Sequence, residues 1–181
     1  LARAVARGVD EVPGASARVR TVPKVAPVYE PGETPVPVDG PPYATTRDLE
    51  ECHALALGSP TRFGQMAAAL RYFLDATSEQ WLQGRLAGKP AGVFTATSSL
   101  HGGQESTLLG MMLPLLHHGM LVVGLPYTEN ALHQTEGGGS PYGPGHLNRL
   151  RSGLSAHEQL LGRALGRRLA EIALKLNAAP E

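Results

Sequence analysis

The run of residues 58–64, Gly-Ser-Pro-Thr-Arg-Phe-Gly, carries side chains that can hold a flat ligand with a polar edge. Thr61 and the loop backbone can form hydrogen bonds, Arg62 adds a positive charge, and Phe63 offers an aromatic surface for stacking. The run follows the apolar residues 53–57 and precedes an amphipathic stretch, an order that predicts a strand, a tight loop and a helix. Because ligands of open α/β sheets bind beyond the carboxyl ends of the strands, we expect this loop to belong to a binding site.

A second loop of the same kind follows the next predicted strand. The apolar residues 89–97 predict that strand, and residues 104–118 predict the helix after the loop. The loop contains Thr97, Ser98, Ser99, Leu100, His101 and Gly102. The repeat of strand, loop and helix indicates a parallel sheet with right-handed crossovers, and it strengthens the expectation of a site at this edge.

Histidines mark the end of the second predicted helix, at His117 and His118. A neutral imidazole can donate a hydrogen bond to a bound ring, whereas a histidine at the end of a helix complements the helix dipole. Four other histidines have no metal-ligand spacing with one another or with a cysteine: His53, His133, His146 and His157. We therefore predict no metal site.

Short segments spread over most of the chain carry a family resemblance. They are Ala-Arg-Ala-Val-Ala at residues 2–6, residues 60–64 with Met66 and Arg71, Trp81, residues 103–105, residues 117–120, Pro-Tyr-Gly at residues 141–143, and residues 174–177. In order and spacing these segments resemble the WrbA family, the flavodoxin-like NAD(P)H:quinone oxidoreductases that carry FMN. The resemblance implies a three-layer α/β sandwich with a parallel sheet in the strand order 2-1-3-4-5.

The resemblance also implies roles for the two loops. Thr61, Arg62 and Phe63 match the family's flavin-contacting triplet, whose backbone N–H groups would face the isoalloxazine edge. Residues 97–102 match the second flavin loop, but their sequence departs from the family's glycine-rich pattern. Backbone contacts to the flavin therefore carry over to this loop better than side-chain contacts do.

Further site residues follow from the same resemblance. His117 matches the histidine that lies near the flavin, and Trp81 matches the aromatic residue against which a substrate ring stacks. Tyr142 belongs to a loop near subunit contacts in the family, with a plain turn as the alternative. For His118, which has no counterpart in the site, we favour the structural role at the helix end. The family assembles as a homotetramer whose active sites are lined by several subunits.

The reaction that the resemblance implies is the two-electron reduction of a quinone. NADH or NADPH delivers a hydride to FMN and leaves, and the quinone then enters the same space. Two alternatives stay open. One is a flavodoxin-type electron carrier, which the zero net charge and the inserted loops disfavour. The other is a non-catalytic scaffold that has lost its flavin.

Composition limits the classes of protein to consider. The 181 residues suit one domain over residues 1–181, and 42% of them are hydrophobic, enough for a core. Sixteen basic and sixteen acidic residues cancel, so no net charge attracts nucleic acid or an anionic membrane. A single cysteine excludes an internal disulfide, and no apolar run reaches the roughly 20 residues that span a bilayer. We predict a cytoplasmic protein.

The ends of the chain give two further expectations. Residues 1–9 predict a helix, and residues 155–175 predict another with a capping box at its start. The apolar residues expected to face inward on the second helix are Leu160, Leu161, Leu165, Leu169, Ile172 and Leu176. No strand and phosphate-binding loop precede Leu1, so we expect the buried first strand of the fold to be missing from these residues.

Four internal segments complete the expectations. Residues 15–22 predict an edge strand. The seven prolines of residues 23–42 predict a long surface loop. Residues 77–86 and 126–148 predict irregular connections, the second of them rich in glycine.

Overall fold

The computed structural model describes residues 1–25, 37, 39–148 and 153–178, and within them it contains seven helices and four strands. The helices are α1 (Ala2–Asp10), α2 (Thr46–Glu51), α3 (Ala68–Asp75), α4 (Ser78–Leu82), α5 (Gln104–His117), α6 (Ala131–Gln134) and α7 (Ala156–Asn177). The strands are β1 (Leu55–Pro60), β2 (Pro90–Thr97), β3 (Leu121–Val122) and β4 (Gly145–Leu147). The three long predicted helices and the two strands that precede the candidate loops are confirmed, but β1 runs to Pro60 and so includes the first three residues of the predicted loop at 58–64.

The four strands form one parallel sheet around β2. In the register of β1 against β2, Leu55 lies opposite Ala91 and Pro60 lies opposite Ala96. On the other side of β2, the short strands β3 and β4 lie end to end, β3 beside its first residues and β4 beside its last. In the order 2-1-3-4-5, the outer edge of β1 is the edge at which the first strand of the fold would pair. No described residue pairs with that edge.

Helices cover both faces of this sheet. On one face, Leu57 and Val93 of the strands pack against Leu70 of α3 and Met111 of α5. On the opposite face, α7 covers the sheet with a buried row that includes Leu165. The expected three-layer α/β sandwich is confirmed, because each strand alternates its side chains between two helical layers.

Glycines bring α1 into direct backbone contact with α7. A Cβ atom on Gly8 would lie 2.0 Å from the carbonyl oxygen of Arg163, and one on Gly166 would lie 2.0 Å from the carbonyl oxygen of Val5. Gly162 lies one turn before Gly166 and faces the same helix. No side chain fits between the two helices at Gly8 or Gly166.

The prediction of an edge strand over residues 15–22 is wrong. The segment is extended, but its only ladder contact in the described part of the chain is an isolated bridge between Thr21 and Tyr43. It runs beside α2 rather than beside a strand, and Arg20 donates from Nε to Asp48 of that helix at 2.9 Å. With no strand next to it among the described residues, the backbone has no partner for a ladder.

Several short elements were not expected. Helix α4 lies inside residues 77–86, and α6 and β4 lie inside residues 126–148. Helix α2 begins with a capping box of Thr45 and Asp48, a signal present in the sequence. Of the predicted proline-rich loop, residues 26–36 and 38 lie outside the described residues.

The inward face of α7 is narrower than predicted. Leu161, Leu165 and Leu169 are fully buried, and its capping box of Ser155 and Glu158 is present as expected. Two of the leucines expected to face inward are exposed instead: Leu160 is 50% exposed and Leu176 is 53% exposed. The inward prediction for those two leucines is wrong for different reasons: Leu160 lies off the stripe of Leu161, Leu165 and Leu169, whereas Leu176 continues that stripe in the last turn of the helix, where it is left exposed.

Candidate functional site

The loops that follow β1 and β2 lie against each other at the carboxyl edge of the sheet. The N–H of Thr61 donates to the carbonyl of Ala96 at 2.9 Å, and the Thr61 hydroxyl lies 2.7 Å from the hydroxyl of Thr107 in α5. Gly103, which precedes α5, has a φ of +92°, and a Cβ atom there would lie 2.9 Å from the Cα of Gly64. The structure therefore brings the two predicted loops together as adjacent walls of one surface.

Hydrogen bonds within the first loop decide which backbone groups remain free. Arg62 N–H donates to the carbonyl of Gln65 at 2.7 Å, and Gln65 N–H donates back at 3.0 Å. The N–H groups of Phe63 and Gly64, at the tip of this turn, donate to no described group. The N–H groups of Thr61 and Arg62 are thus used inside the protein, and the free donors lie one or two residues further on.

Phe63 has the most unusual conformation in this loop. Its φ is +51°, the only positive φ at a non-glycine among the described residues, and its side chain is fully exposed. A left-handed conformation costs about 1–2 kcal/mol for a residue with a Cβ atom. A strained aromatic residue held out into water at the end of a strand is typical of a binding site.

The second loop presents a similar set of groups. Thr97 is buried, and its hydroxyl donates to the carbonyl of Ser99 at 3.0 Å, a carbonyl that also accepts the N–H of Gly102 at 3.1 Å. Four exposed residues of this loop have backbone N–H groups with no described acceptor: Ser98, Ser99, Leu100 and His101. Backbone donors of both loops are therefore open to solvent at the same edge.

A third segment, which the sequence did not connect with the site, supports the second loop. Gln104 is buried at the start of α5, and its side-chain amide donates to the carbonyl of Gly137 at 3.0 Å. A Cβ atom on Gly145 would lie 2.1 Å from the amide oxygen of Gln104, and one on Gly138 would lie 2.3 Å from the Gly145 carbonyl carbon. The triple glycine at residues 137–139 was the visible signal, since only glycine permits this approach.

Glu158 fixes the end of β4 beside this segment. Its buried carboxylate accepts the N–H of Leu147 at 3.0 Å, the N–H of Ser155 at 2.7 Å, and a hydrogen bond from Nδ1 of His146 at 3.0 Å. Burial raises the pKa of Glu158, but these hydrogen bonds outweigh it and hold the pKa below its ordinary value. The charged carboxylate is therefore the form that the fold stabilises.

His117 and Trp81 lie at the opposite end of α5. The indole N–H of Trp81 donates to the carbonyl of His117 at 2.8 Å, and both side chains are exposed. Helix α5 has 14 residues, which makes it about 20 Å long, and it contacts the two loops through its first turns, as at Thr107. Within one copy of the chain, these two predicted site residues do not meet the loops.

The neighbouring histidine has a different environment. His118 is buried, and its Nε2 lies 2.9 Å from the hydroxyl of Thr77. Burial lowers the pKa of His118, and the nearby His117 lowers it further.

Tyr142 is 42% exposed in a turn closed by hydrogen bonds between Ser140 and Gly143. Among the described residues, no three His, Cys, Asp or Glu side chains come together as a metal site.

The position of the two loops agrees with a known family of flavoproteins. The sequence profile of NADPH-dependent FMN reductases matches residues 1–131, which includes both loops and α5. The chain belongs to this family. The match ends before the glycine segment at residues 137–139 and before α7, so these two parts of the chain lie outside the family profile.

Relatives of this FMN reductase-family chain extend over almost its whole length. A protein of Solidesulfovibrio magneticus is 41% identical over 191 residues, covering 98% of this chain and 92% of the relative. A protein of Geobacter sulfurreducens is 43% identical over 189 residues, with the same two coverages. One from Geotalea uraniireducens is 40% identical over 185 residues, covering 97% of this chain and 91% of the relative. All three are named NAD(P)H dehydrogenase (quinone).

A solved structure supports the fold of this FMN reductase-family chain. A WrbA-like flavodoxin from Agrobacterium tumefaciens superposes with a TM-score of 0.55 and 24% identity, covering 71% of each chain. With the family match and the relatives, this confirms the resemblance to the flavodoxin-like WrbA proteins. No helix in the described part of the chain is long and apolar enough to cross a membrane.

Proposed function

We propose that this chain is an FMN-dependent NAD(P)H:quinone oxidoreductase that reduces quinones by two electrons. The observation that carries the proposal is the junction of the two loops at the carboxyl edges of β1 and β2, where both loops have free backbone donors and Phe63 has an exposed ring. The relatives' shared name supports this chemistry for the chain. FMN is the cofactor, and NADH or NADPH is the co-substrate.

The donors at the two loops fit the edge of a flavin. An isoalloxazine ring has carbonyl oxygens and ring nitrogens along one edge, and these accept hydrogen bonds from backbone N–H groups. Phe63 and Gly64 supply two such donors, and residues 98–101 supply others. The hydroxyls of Thr61 and Thr107 share one hydrogen bond, which ties the first loop to α5 beside these donors.

The residues of the chain bind and orient the ring. When bound, FMN supplies the hydride-accepting and hydride-donating chemistry, while the protein holds the ring and shapes access to it. We propose flavin contacts at the predicted residues of both loops, Thr61, Arg62, Phe63, Thr97, Ser98, Ser99, Leu100, His101 and Gly102. In the first loop the N–H of Phe63 is the free donor, so Thr61 and Arg62 would contact the flavin through atoms other than their N–H groups. The guanidinium of Arg62 donates to the carbonyl of Thr61 at 2.9 Å, which stiffens the loop that carries Phe63.

We infer that the working enzyme is a homotetramer in which His117 and Trp81 serve the flavin of a neighbouring copy. The separation of these residues from the loops along α5 supports this inference, because a second copy can place the end of its own α5 beside the loops of the first. Here His117 would donate a hydrogen bond to the flavin or quinone, and Trp81 would stack on the substrate ring. The exposed loop around Tyr142 is proposed to lie near such a contact.

The first test is a titration of the chain with FMN, followed by assays of NADH and NADPH oxidation with benzoquinone. We expect stoichiometric flavin binding and quinone-dependent turnover without any protein partner. Turnover that requires a protein acceptor would favour a flavodoxin-type electron carrier. The absence of flavin binding would favour a non-catalytic scaffold and would overturn the proposal.

Gly103→Ala is expected to weaken FMN binding by about tenfold, a change of roughly 1.4 kcal/mol. A Cβ atom there would press on Gly64 and separate the loops, in addition to the strain of its positive φ. The matched control is Gly88→Ala, since Gly88 also has a positive φ, of +76°, but a Cβ atom there meets nothing within 4 Å. Isothermal titration with FMN compares the two, and an equal loss of affinity in both would contradict the loop junction as the flavin site.

Leu113→Glu is expected to break the tetramer into smaller species. Leu109, Leu113 and Leu116 form an exposed apolar row on one face of α5, at 44%, 61% and 56% exposure, which supports a contact between copies. Light scattering after size-exclusion chromatography measures the mass. Leu160→Glu, at an exposed leucine of α7, is the control and should leave the mass unchanged. A monomeric wild-type chain saturated with FMN would contradict the assembly.

We also infer that the chain forms a single domain over residues 1–181 and works in the cytoplasm. The continuous sheet through β1, β2 and the pair β3 and β4 supports one domain. The single cysteine, Cys52, supports a reducing compartment, since it can form no internal disulfide.

A further inference from the structure

The end of α5 holds α4 at two neighbouring points. The carbonyl of His117 accepts the indole N–H of Trp81 at 2.8 Å, and Nε2 of His118 lies 2.9 Å from the hydroxyl of Thr77, the residue that precedes α4. The carbonyl of Thr77 in turn accepts the backbone N–H of Trp81 at 3.0 Å. Trp81 is thus connected to α5 directly through its ring and indirectly through Thr77.

The hydrogen bond between His118 and Thr77 has a defined direction. The Thr77 hydroxyl donates its one proton to the carbonyl of Leu74 at 2.6 Å. Since a hydroxyl has no second proton, Nε2 of His118 must be the donor to Thr77, and the neutral ring carries its proton on Nε2. The imidazole therefore acts as a fixed donor from α5 to the start of α4.

The surroundings of this bond are buried and incompletely satisfied. His118 is 9% exposed and Thr77 is 1% exposed. Nδ1 of His118 and the side-chain oxygen of Gln80 in α4 are both buried without a hydrogen-bond partner among the described residues. An apolar side chain at position 118 would avoid this cost, so the histidine is present for the bond it makes rather than for burial alone.

We propose that His118 is a positioning residue for Trp81, which acts through Thr77 to fix the orientation of the exposed indole ring. This rests on the proposed function, in which Trp81 forms the stacking surface for the quinone. The two adjacent histidines then have separate tasks. His117 presents a free imidazole and holds the indole N–H with its carbonyl, whereas His118 immobilises the helix that carries the indole.

The fixed ring lowers the cost of substrate binding. A ring that is already oriented loses less conformational freedom when a quinone stacks on it. Loss of the His118 to Thr77 bond should therefore weaken quinone binding without changing the two flavin loops, which lie at the other end of α5. The expected effect is a rise in KM for benzoquinone of about tenfold, with little change in kcat at saturating quinone.

The test compares disruptive and conservative variants at both partners. Thr77→Val and His118→Leu remove the bond, whereas Thr77→Ser and His118→Gln keep a hydroxyl and a side-chain N–H. Thr128→Val, at an exposed threonine with no described hydrogen bond, is the control for loss of a hydroxyl. Trp81 is the only tryptophan of the chain, so its fluorescence reports the position of this one ring.

We expect Thr77→Val and His118→Leu to shift the emission to longer wavelength and to increase acrylamide quenching, with the rise in KM in the FMN-saturated protein. Thr77→Ser, His118→Gln and Thr128→Val should resemble the wild type in all three readouts. Unchanged fluorescence and KM in folded Thr77→Val would overturn the proposal. If the fluorescence shifts as expected but the wild type saturated with FMN reduces no quinone, the proposed function fails while the positioning of Trp81 by His118 stands.

Discussion

Gly166→Ala is expected to lower the free energy of unfolding by about 3 kcal/mol, although alanine is the better helix former. The added Cβ atom would lie 2.0 Å from the carbonyl oxygen of Val5 and 2.8 Å from the backbone nitrogen of Val9. Both contacts are with the backbone of α1, which cannot move aside as a flexible side chain can. Helix α1 must therefore separate from α7, and the contact between the two helices is lost.

The matched control for this change is Gly110→Ala in α5. Gly110 is also inside a helix, but the nearest atom to an added Cβ is the side-chain oxygen of Gln65, at 3.0 Å. That side chain can rotate away, so helix propensity should dominate and stabilise the protein by up to about 1 kcal/mol. Urea denaturation followed by circular dichroism measures both variants. Equal stabilisation of the two would show that α1 does not pack on α7 as described.

Glu158→Gln is expected to cost about 3 kcal/mol at neutral pH. The carboxylate accepts hydrogen bonds at both of its oxygens, from the N–H groups of Leu147 and Ser155 and from His146. An amide nitrogen in place of one oxygen would face a donor instead of accepting from it. The end of β4 and the first turn of α7 would lose their common partner.

The pH dependence of this difference has a definite sign. Because the pKa of Glu158 lies below its ordinary value of 4.5, its stabilising contribution is fully present above that value and is lost as the pH falls through the lowered pKa. The stability difference between wild type and Glu158→Gln should therefore shrink in acid. Glu171→Gln, at an exposed position of the same helix, is the control, and we expect a change within about 0.5 kcal/mol. A difference between wild type and Glu158→Gln that stays constant from neutral pH into acid would contradict a charged Glu158 in the fold.

The two loops of the site could be predicted because their signals are local. An apolar run, a turn with glycine or proline and an amphipathic stretch stand next to one another at residues 53–74, and the same order recurs from residue 89. The role of Thr61, Arg62 and Phe63 as flavin contacts was predicted from a family resemblance carried by the same short segments. Their hydrogen bonds could not be predicted, since the N–H of Thr61 donates to the carbonyl of Ala96, which lies 35 residues away in another strand.

The groups that support the site escaped prediction because their partners are distant in the chain. Gln104 is polar and stands at a helix start, where an exposed side chain is the ordinary expectation, but it is buried against Gly137. The edge strand expected over residues 15–22 had a suitable alternation of side chains. It lacked a neighbouring strand among the described residues, and an alternating pattern cannot reveal the absence of a partner.

The sequence by itself determined the α/β class, the order of strands and helices around the two loops, and the central buried leucines of α7, Leu161, Leu165 and Leu169, because the periodicity of apolar residues is a local property of the chain. Only the tertiary structure decided three further features. It set β3 and β4 end to end on one side of β2, brought α1 onto α7 through glycines, and placed the indole of Trp81 against the carbonyl of His117 at the far end of α5. Each depends on contacts between residues far apart in the chain, whose free energy has no local pattern from which to read it.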